Sequence, residues 1–250
     1  PLLLVQGFAC GKDDWGALTK MLASKSKRTV ITFDHRGIGE SDVPEGPYAV
    51  TDLAADALAV LDAAAAPKAH VLGISLGGMV AQSLALDQPA RVRSLVLGCT
   101  THGGREATPP PRGFMELCAA WSAEGDTATG TGTGVTAPDD PNASPLVPEF
   151  IRFMLPPTTS AERLEHYREY FAKYTRRSRT GLRGQLAAMG RFNTTKRLAE
   201  LGQATPTLVL CGSEDAVMPL ANSESLHART PNSRLLVTHG AGHFWWAHDP

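Results

Sequence analysis

The stretch His70-Val71-Leu72-Gly73-Ile74-Ser75-Leu76-Gly77-Gly78-Met79-Val80-Ala81-Gln82 decides how this chain reads. An apolar run breaks into glycines around a serine, then resumes with helical spacing. When Gly-x-Ser-x-Gly joins a strand to a helix, the turn is so tight that the residues flanking the serine must be tiny, as Gly73 and Gly77 are. The serine then stands at the carboxyl end of a strand and the start of a helix. The helix N-terminus favours negative charge there, and the Leu76 amide points into the site. Two other readings of the glycines fail. A phosphate-binding loop needs Lys-Ser/Thr after its last glycine, but Met79-Val80 follow Gly78, and a dinucleotide turn needs glycine where Ser75 stands. On this stretch alone, Ser75 is either a nucleophile or a small residue in a tight connection.

The surrounding chain supplies the context. Short apolar runs at 2–6, 29–33, 69–74 and 93–98 alternate with helical patterns near 13–24, 51–65 and 77–88. The rhythm returns with a strand at 206–211, a helix near 219–229 and a strand at 233–238. Strands of this kind, spaced by helices, mean βαβ units and a parallel sheet. Between the two halves, residues 101–145 are rich in Pro, Gly and Thr. The low-complexity run at 125–134 (GDTATGTGTG) is expected to be mobile. Helical patches near 113–123, 147–155 and 160–175 follow or interrupt it, and one helix over 180–200 leads back to the sheet. This reads as an insertion between two strands: a core of 1–100 and 180–250, and a cap or lid of 101–179.

Composition narrows the function classes. The chain has 250 residues, 42% apolar and 20% charged, with a formal net charge of −1. That balance gives no footing for nucleic acid. The patch Arg176-Arg177-Ser178-Arg179 reads as a solvated helix end. No run of about 18 apolar residues exists, so no membrane span is expected. Cys10, Cys99, Cys118 and Cys211 show neither CxxC nor metal-ligand spacing and read as small buried thiols, which favours a reducing, cytoplasmic setting. The chain enters at Pro1 straight into a strand and stops just after a motif-rich loop, so it reads as a slice truncated at both ends.

A serine nucleophile needs a base and a carboxylate to orient that base. His243, in Gly240-Ala241-Gly242-His243, lies just beyond the last apolar strand, where catalytic groups gather in an open α/β sheet. His239 ends the strand itself and is the second choice, and His248 sits five residues further on. His70, His166 and His227 fall inside or at the edges of elements and read as packing or surface residues. For the carboxylate, Leu208-Val209-Leu210-Cys211-Gly212-Ser213-Glu214-Asp215 is a strand running into a loop closed by Pro219. Asp215 is preferred, because its neighbour Glu214 would point the other way.

With these segments in place, the chain resembles the α/β-hydrolase fold superfamily, in its esterase, enol-lactonase and haloperoxidase-like branch. QGFACGKDDW (6–15) resembles the oxyanion loop, FDHRGIGESD (33–42) the loop after the next strand, and GISLGG the nucleophile elbow. LVLCGSEDAVMP and GAGH resemble the acid and base ends. The resemblance implies an α/β fold with a mostly parallel central sheet flanked by helices and a helical lid inserted after the sixth family strand. It implies a Ser75–Asp215–His243 triad and an oxyanion hole made by the backbone amides of Phe8 and Leu76. Each such donor is typically worth about 10²–10³ in rate. Many relatives have His-Gly where this chain has Gln6-Gly7, so Gln6 takes a place an imidazole usually holds. In the 34–41 loop, Asp34, Arg36 and Ser41 read as ties between loops beside the site.

The expected function is a cofactor-independent, metal-free serine hydrolase cleaving a carboxylic ester, lactone or related acyl bond of a small-molecule substrate. Serine at 75, rather than aspartate, argues against the branches that form alkyl-enzyme esters. Carbon–carbon hydrolase, perhydrolase and a ligand-binding receptor of the same fold stay open. Trp15, Phe114, Trp121, Phe150, Phe153, Phe244 and Trp245 are candidates for an apolar acyl pocket.

Overall fold

The structure is a computed structural model and describes residues 1–123, 135–136, 144–174 and 177–247. Its first half alternates strictly: β1 (Leu2–Val5), α1 (Ala17–Ser26), β2 (Val30–Thr32), α2 (Val50–Ala63), β3 (Ala69–Ile74), α3 (Leu76–Asp87) and β4 (Val92–Gly98). The middle holds α4 (Arg112–Ala123), β5 (Val135–Thr136), α5 (Val147–Met154), α6 (Ala161–Tyr174) and β6 (Arg177–Ser178). α7 (Arg179–Arg191), α8 (Leu198–Ala204), β7 (Thr207–Gly212), α9 (Leu220–Arg229) and β8 (Arg234–Thr238) complete it. β1–β4, β7 and β8 form one parallel sheet in the order β2-β1-β3-β4-β7-β8.

The apolar runs explain this arrangement. Leu3, Leu4 and Val5 of β1 and Val71 of β3 are sealed from solvent on both faces of the sheet, as central parallel strands must be. Each such side chain contributes about 1.5–3 kcal/mol. α3 is buried from Leu76 to Ala85, so it runs through the middle of the molecule rather than along its surface. β4 pairs directly with β7, so two strands separated in sequence by residues 99–206 are neighbours in the sheet.

Strand order decides where a site can form. From β1 the chain steps to β2 on one side, then crosses back to β3 on the other. Loops that leave β1 and β3 therefore diverge and open a crevice at their carboxyl ends. Residues 6–11 follow β1 and Ser75 follows β3, so the two lie on either side of that crevice.

Two elements differ from the sequence reading. The helix expected over 13–24 starts at Ala17, because Asp14 Oδ2 captures the Gly11 amide at 2.7 Å and Gly16 takes φ +53°, leaving a 3-10 turn at Lys12–Trp15. The single helix expected over 180–200 is two helices. The Thr194 amide donates to the His102 carbonyl, and Asn193 bridges Gly103. These pairings pull 192–194 out of helical geometry. The run at 125–134 and His248 lie outside the described residues.

Candidate active site

Ser75 sits between β3 and α3 with φ 56° and ψ −121°. A non-glycine residue there stores strain of about 1–3 kcal/mol and persists only when its surroundings over-determine it. The surroundings do so. The Ser75 amide donates to the Gly98 carbonyl at 2.9 Å, and its own carbonyl accepts from Gly78, Met79 and the Thr100 hydroxyl. A side-chain carbon at Gly77 would land on the Val5 carbonyl oxygen, and one at Gly73 on the Gly77 carbonyl. The glycines let β3, β1 and α3 close up around the serine.

Asp215 follows β7 and His243 follows β8, each in the loop just past its strand. Both side chains are buried, and His243 Nδ1 lies 2.9 and 3.0 Å from the two Asp215 carboxylate oxygens. Asp215 Oδ1 also accepts the amides of Val217 and Met218 at 2.8 Å each. The carboxylate is thus fixed from the backbone side and the imidazole from the carboxylate side. With Nδ1–H given to Asp215, Nε2 is the nitrogen left to accept a proton. Glu214 is exposed, as is His239, and neither joins this pair. Ser75, His243, Gln6, Gly7 and Phe8 line one cavity.

The loop after β1 lies against the serine: a side-chain carbon at Gly7 would sit 3.1 Å from Ser75 Cβ and 3.7 Å from its Oγ. Gln6 Oε1 accepts the Gly7 amide at 2.9 Å, while the Gln6 carbonyl accepts from His35 Nε2 at 2.9 Å. Gln6 thus braces its own loop. Among the described residues, the amides of Phe8 and Leu76 have no hydrogen-bond acceptor.

The cavity beside Ser75 holds about 10 Å³, room for roughly one water. Phe8, Ile74, Phe114, Phe150, Met154 and Phe244 close it. Of the pocket candidates, Phe114, Phe150 and Phe244 line it. Trp121 and Phe153 stand one layer out, packed on Phe150 and Phe114. Trp15 and Trp245 line a separate cavity of about 410 Å³.

Cys99, Asp215 and His243 bring their ligand atoms within 4.8 Å of one another. Burial, with the Asp215 charge adding to it, pushes the Cys99 thiol well up, so it sits there as a protonated thiol against a carboxylate already engaged by three N–H groups. All four cysteines are free and buried.

Sequence reasoning missed three supports. His35 is sealed in the core, and its bond to Gln6 has no local signal beyond lying in the Asp34-His35-Arg36-Gly37 loop. That loop is itself tied down: Asp34 accepts the Lys12 amide and Arg36 pairs with Asp56 at 2.6 Å. Gln185 and Arg177 contact the oxyanion loop from more than 160 residues away. Arg177 also corrects the reading of the 176–179 patch as a solvated helix end, because its guanidinium is buried 3.8 Å over the Phe171 ring; Arg176 lies outside the described residues. Aromatic faces attract a cation and replace the water it loses.

A strained serine on a strand-to-helix turn, with a histidine–carboxylate pair on later strand ends of one parallel sheet, defines a class of fold. The family model described as alpha/beta hydrolase fold matches residues 1–245, and the chain belongs to that family. It is 30% identical over 253 residues to a protein of Azorhizobium caulinodans named "Putative carbamate hydrolase RutD", covering 100% of this chain and 86% of that one. A hydrolase from Pseudomonas aeruginosa PA01 superposes with a TM-score of 0.74 at 30% identity, over 97% of this chain and 82% of the other. A thermophilic esterase from Thermogutta terrifontis does so with a TM-score of 0.73 at 26% identity, covering 97% and 82%. Among the described residues no helix is long and apolar enough to cross a membrane.

Proposed function

We propose that the protein is a serine hydrolase that cleaves a carboxylic ester, lactone or related acyl bond through an acyl-enzyme on Ser75. Ser75 Oγ attacks the acyl carbonyl while His243 Nε2 takes its proton. Asp215 keeps the imidazole in the required tautomer and stabilises the imidazolium. The amides of Phe8 and Leu76 receive the developing oxyanion. The tetrahedral intermediate collapses as His243 returns the proton to the leaving group. Water, activated by the same imidazole, then releases the acid and frees Ser75.

The observation that carries this reading is the buried His243–Asp215 pair at 2.9 Å, in one molecule with a strained serine and two amides that have no acceptor among the described residues. The relatives named "Putative carbamate hydrolase RutD" and thermophilic esterase support hydrolysis as the reaction type. The described residues of 101–179 act as the cap over the described residues of a core of 1–100 and 180–250, with Phe114 and Phe150 as its floor above Ser75. Among the described residues, no Lys, Arg, Asp or Glu lines the cavity, which favours a short, uncharged acyl group.

Turnover of p-nitrophenyl acetate tests the assignment of the base. His243→Ala should lose it by three orders of magnitude or more, while His239→Ala keeps it within about twofold. Equal losses would defeat the choice of His243.

A further inference from the structure

The turn after Gln6 holds a residue in a conformation that its side chain disfavours. Ala9 has φ +61°, and the Cys10 amide donates to the Gly7 carbonyl at 3.3 Å. Gly7–Cys10 is therefore a four-residue turn whose third position is left-handed, a place that ordinarily takes glycine or asparagine. Such geometry lasts only where neighbours hold it.

Here the neighbours are two side chains distant in sequence. The Ala9 amide donates to Gln185 Oε1 at 3.1 Å, and the Ala9 carbonyl accepts from Arg177 Nε–H at 2.8 Å. The peptide groups on both sides of the Ala9 α-carbon are thus fixed. Gln185 and Arg177 are buried, yet neither lines the cavity beside Ser75. Among the described residues Gln185 Nε2 has no partner, so the bond to Ala9 is the one that its side-chain amide makes.

The mount is stiff. The Arg177 backbone bridges Ile38, the Ser178 amide donates to the Gly37 carbonyl at 3.1 Å, and a side-chain carbon at Gly181 would lie 2.6 Å from Gly37 Cα. The other side of the oxyanion loop is held by His35 through Gln6. Between these braces, the amides of Gly7, Ala9, Cys10, Gly11 and Lys12 all have acceptors, and among the described residues that of Phe8 has none.

We infer that Gln185 and Arg177 are positioning residues for the oxyanion donor, clamping Ala9 so that the turn keeps the Phe8 amide free beside Ser75. The inference rests on the acyl chemistry proposed for Ser75. Removing the clamp lets the turn relax to ordinary backbone angles. The donor then drifts from the place where charge develops, and substrate binding is left intact. An oxyanion donor is worth at most about 10²–10³ in rate, so partial displacement should give roughly 10–100-fold.

The test compares Gln185→Met, which keeps the length and loses the acceptor, with Gln185→Glu, which keeps an acceptor. Ester kinetics are read beside the affinity of an aryl trifluoromethyl ketone, whose adduct with Ser75 carries the oxyanion. Gln185→Met should lower kcat about 10–100-fold with KM within about twofold and weaken the ketone by the same factor. Gln185→Glu should recover most of both losses. A Gln185→Met enzyme with unchanged kcat and ketone affinity overturns the clamp, as does a loss that Gln185→Glu fails to rescue. If Gln185→Met does not fold, Arg177→Lys, which removes Nε–H and keeps the charge facing Asp14, is read by the same criteria. Wild-type protein that neither turns over ester nor takes up the ketone overturns the acyl chemistry itself, an outcome distinct from failure of the clamp.

Discussion

The Phe244 amide donates to the Met154 carbonyl at 2.8 Å, tying the loop that carries His243 to the end of α5. The contact is close along its length: a side-chain carbon at Gly242 would lie 2.8 Å from the Pro156 nitrogen and 2.9 Å from the Leu155 carbonyl carbon. Gly242→Ala must therefore push α5 and the base loop apart. Overpacking of this kind costs about 1–3 kcal/mol. We expect a lower melting temperature together with an order-of-magnitude loss of kcat, because the displaced segment holds His243. Thermal melts and ester kinetics on the one variant check both. A variant that loses stability and keeps full kcat would uncouple α5 from the base.

Asp215→Asn keeps the size of the side chain and the backbone contacts that an oxygen can accept, but offers His243 an ambiguous partner. The imidazole can then settle in the wrong tautomer. By analogy with other triads, kcat should fall about 10³–10⁴-fold while the protein stays folded. Circular dichroism and steady-state kinetics separate the two effects, and a loss below tenfold would remove Asp215 from the mechanism.

His35 links pH to stability. Burial lowers its pKa from the ordinary 6.5, despite the Gln6 carbonyl that favours the charged ring. The unfolded chain therefore binds a proton that the folded one resists. Stability is intact above about pH 6.5 and declines as pH falls below it. The melting temperature should drop between pH 7 and 5, and His35→Gln should flatten that slope even though it lowers stability at pH 7. An unchanged slope in the variant would place the pH dependence elsewhere.

Phe150 closes the cavity beside Ser75 and packs against Phe8, Phe114, Trp121 and Phe171. Phe150→Ala should cost about 3–5 kcal/mol and shift preference from acetate towards longer acyl chains. Relative kcat/KM on p-nitrophenyl acetate, butyrate and octanoate reads the shift. An unaltered ranking would mean that the acyl group does not lie against this ring.

The features legible in the sequence are those whose signal is local. The Ser75 turn announces itself through Gly73 and Gly77, because two backbones must approach where a side chain would collide. Asp215 and His243, which lie 2.9 Å apart, stand out in the sequence because each lies in the loop just past an apolar strand, and the parallel sheet brings strand ends together. Gln185 and Arg177 left no such mark. A glutamine on a helix looks solvent-facing until tertiary packing turns it inward, and Arg177 sits in a basic run that looked solvated. The break between α7 and α8 was hidden for the same reason, since Asn193 and Thr194 leave the helix to meet Gly103 and His102. The closure of the cavity depends on how Phe114 and Phe150 pack, which periodicity does not encode.

The most direct test of the central claim locates the acyl group. Protein treated with a fluorophosphonate, digested and read by mass spectrometry should carry one adduct, on the peptide containing Ser75. That adduct should be absent from Ser75→Ala and form at least a thousandfold more slowly in His243→Ala. No adduct on folded wild-type protein, or an adduct undiminished in Ser75→Ala, would contradict the account.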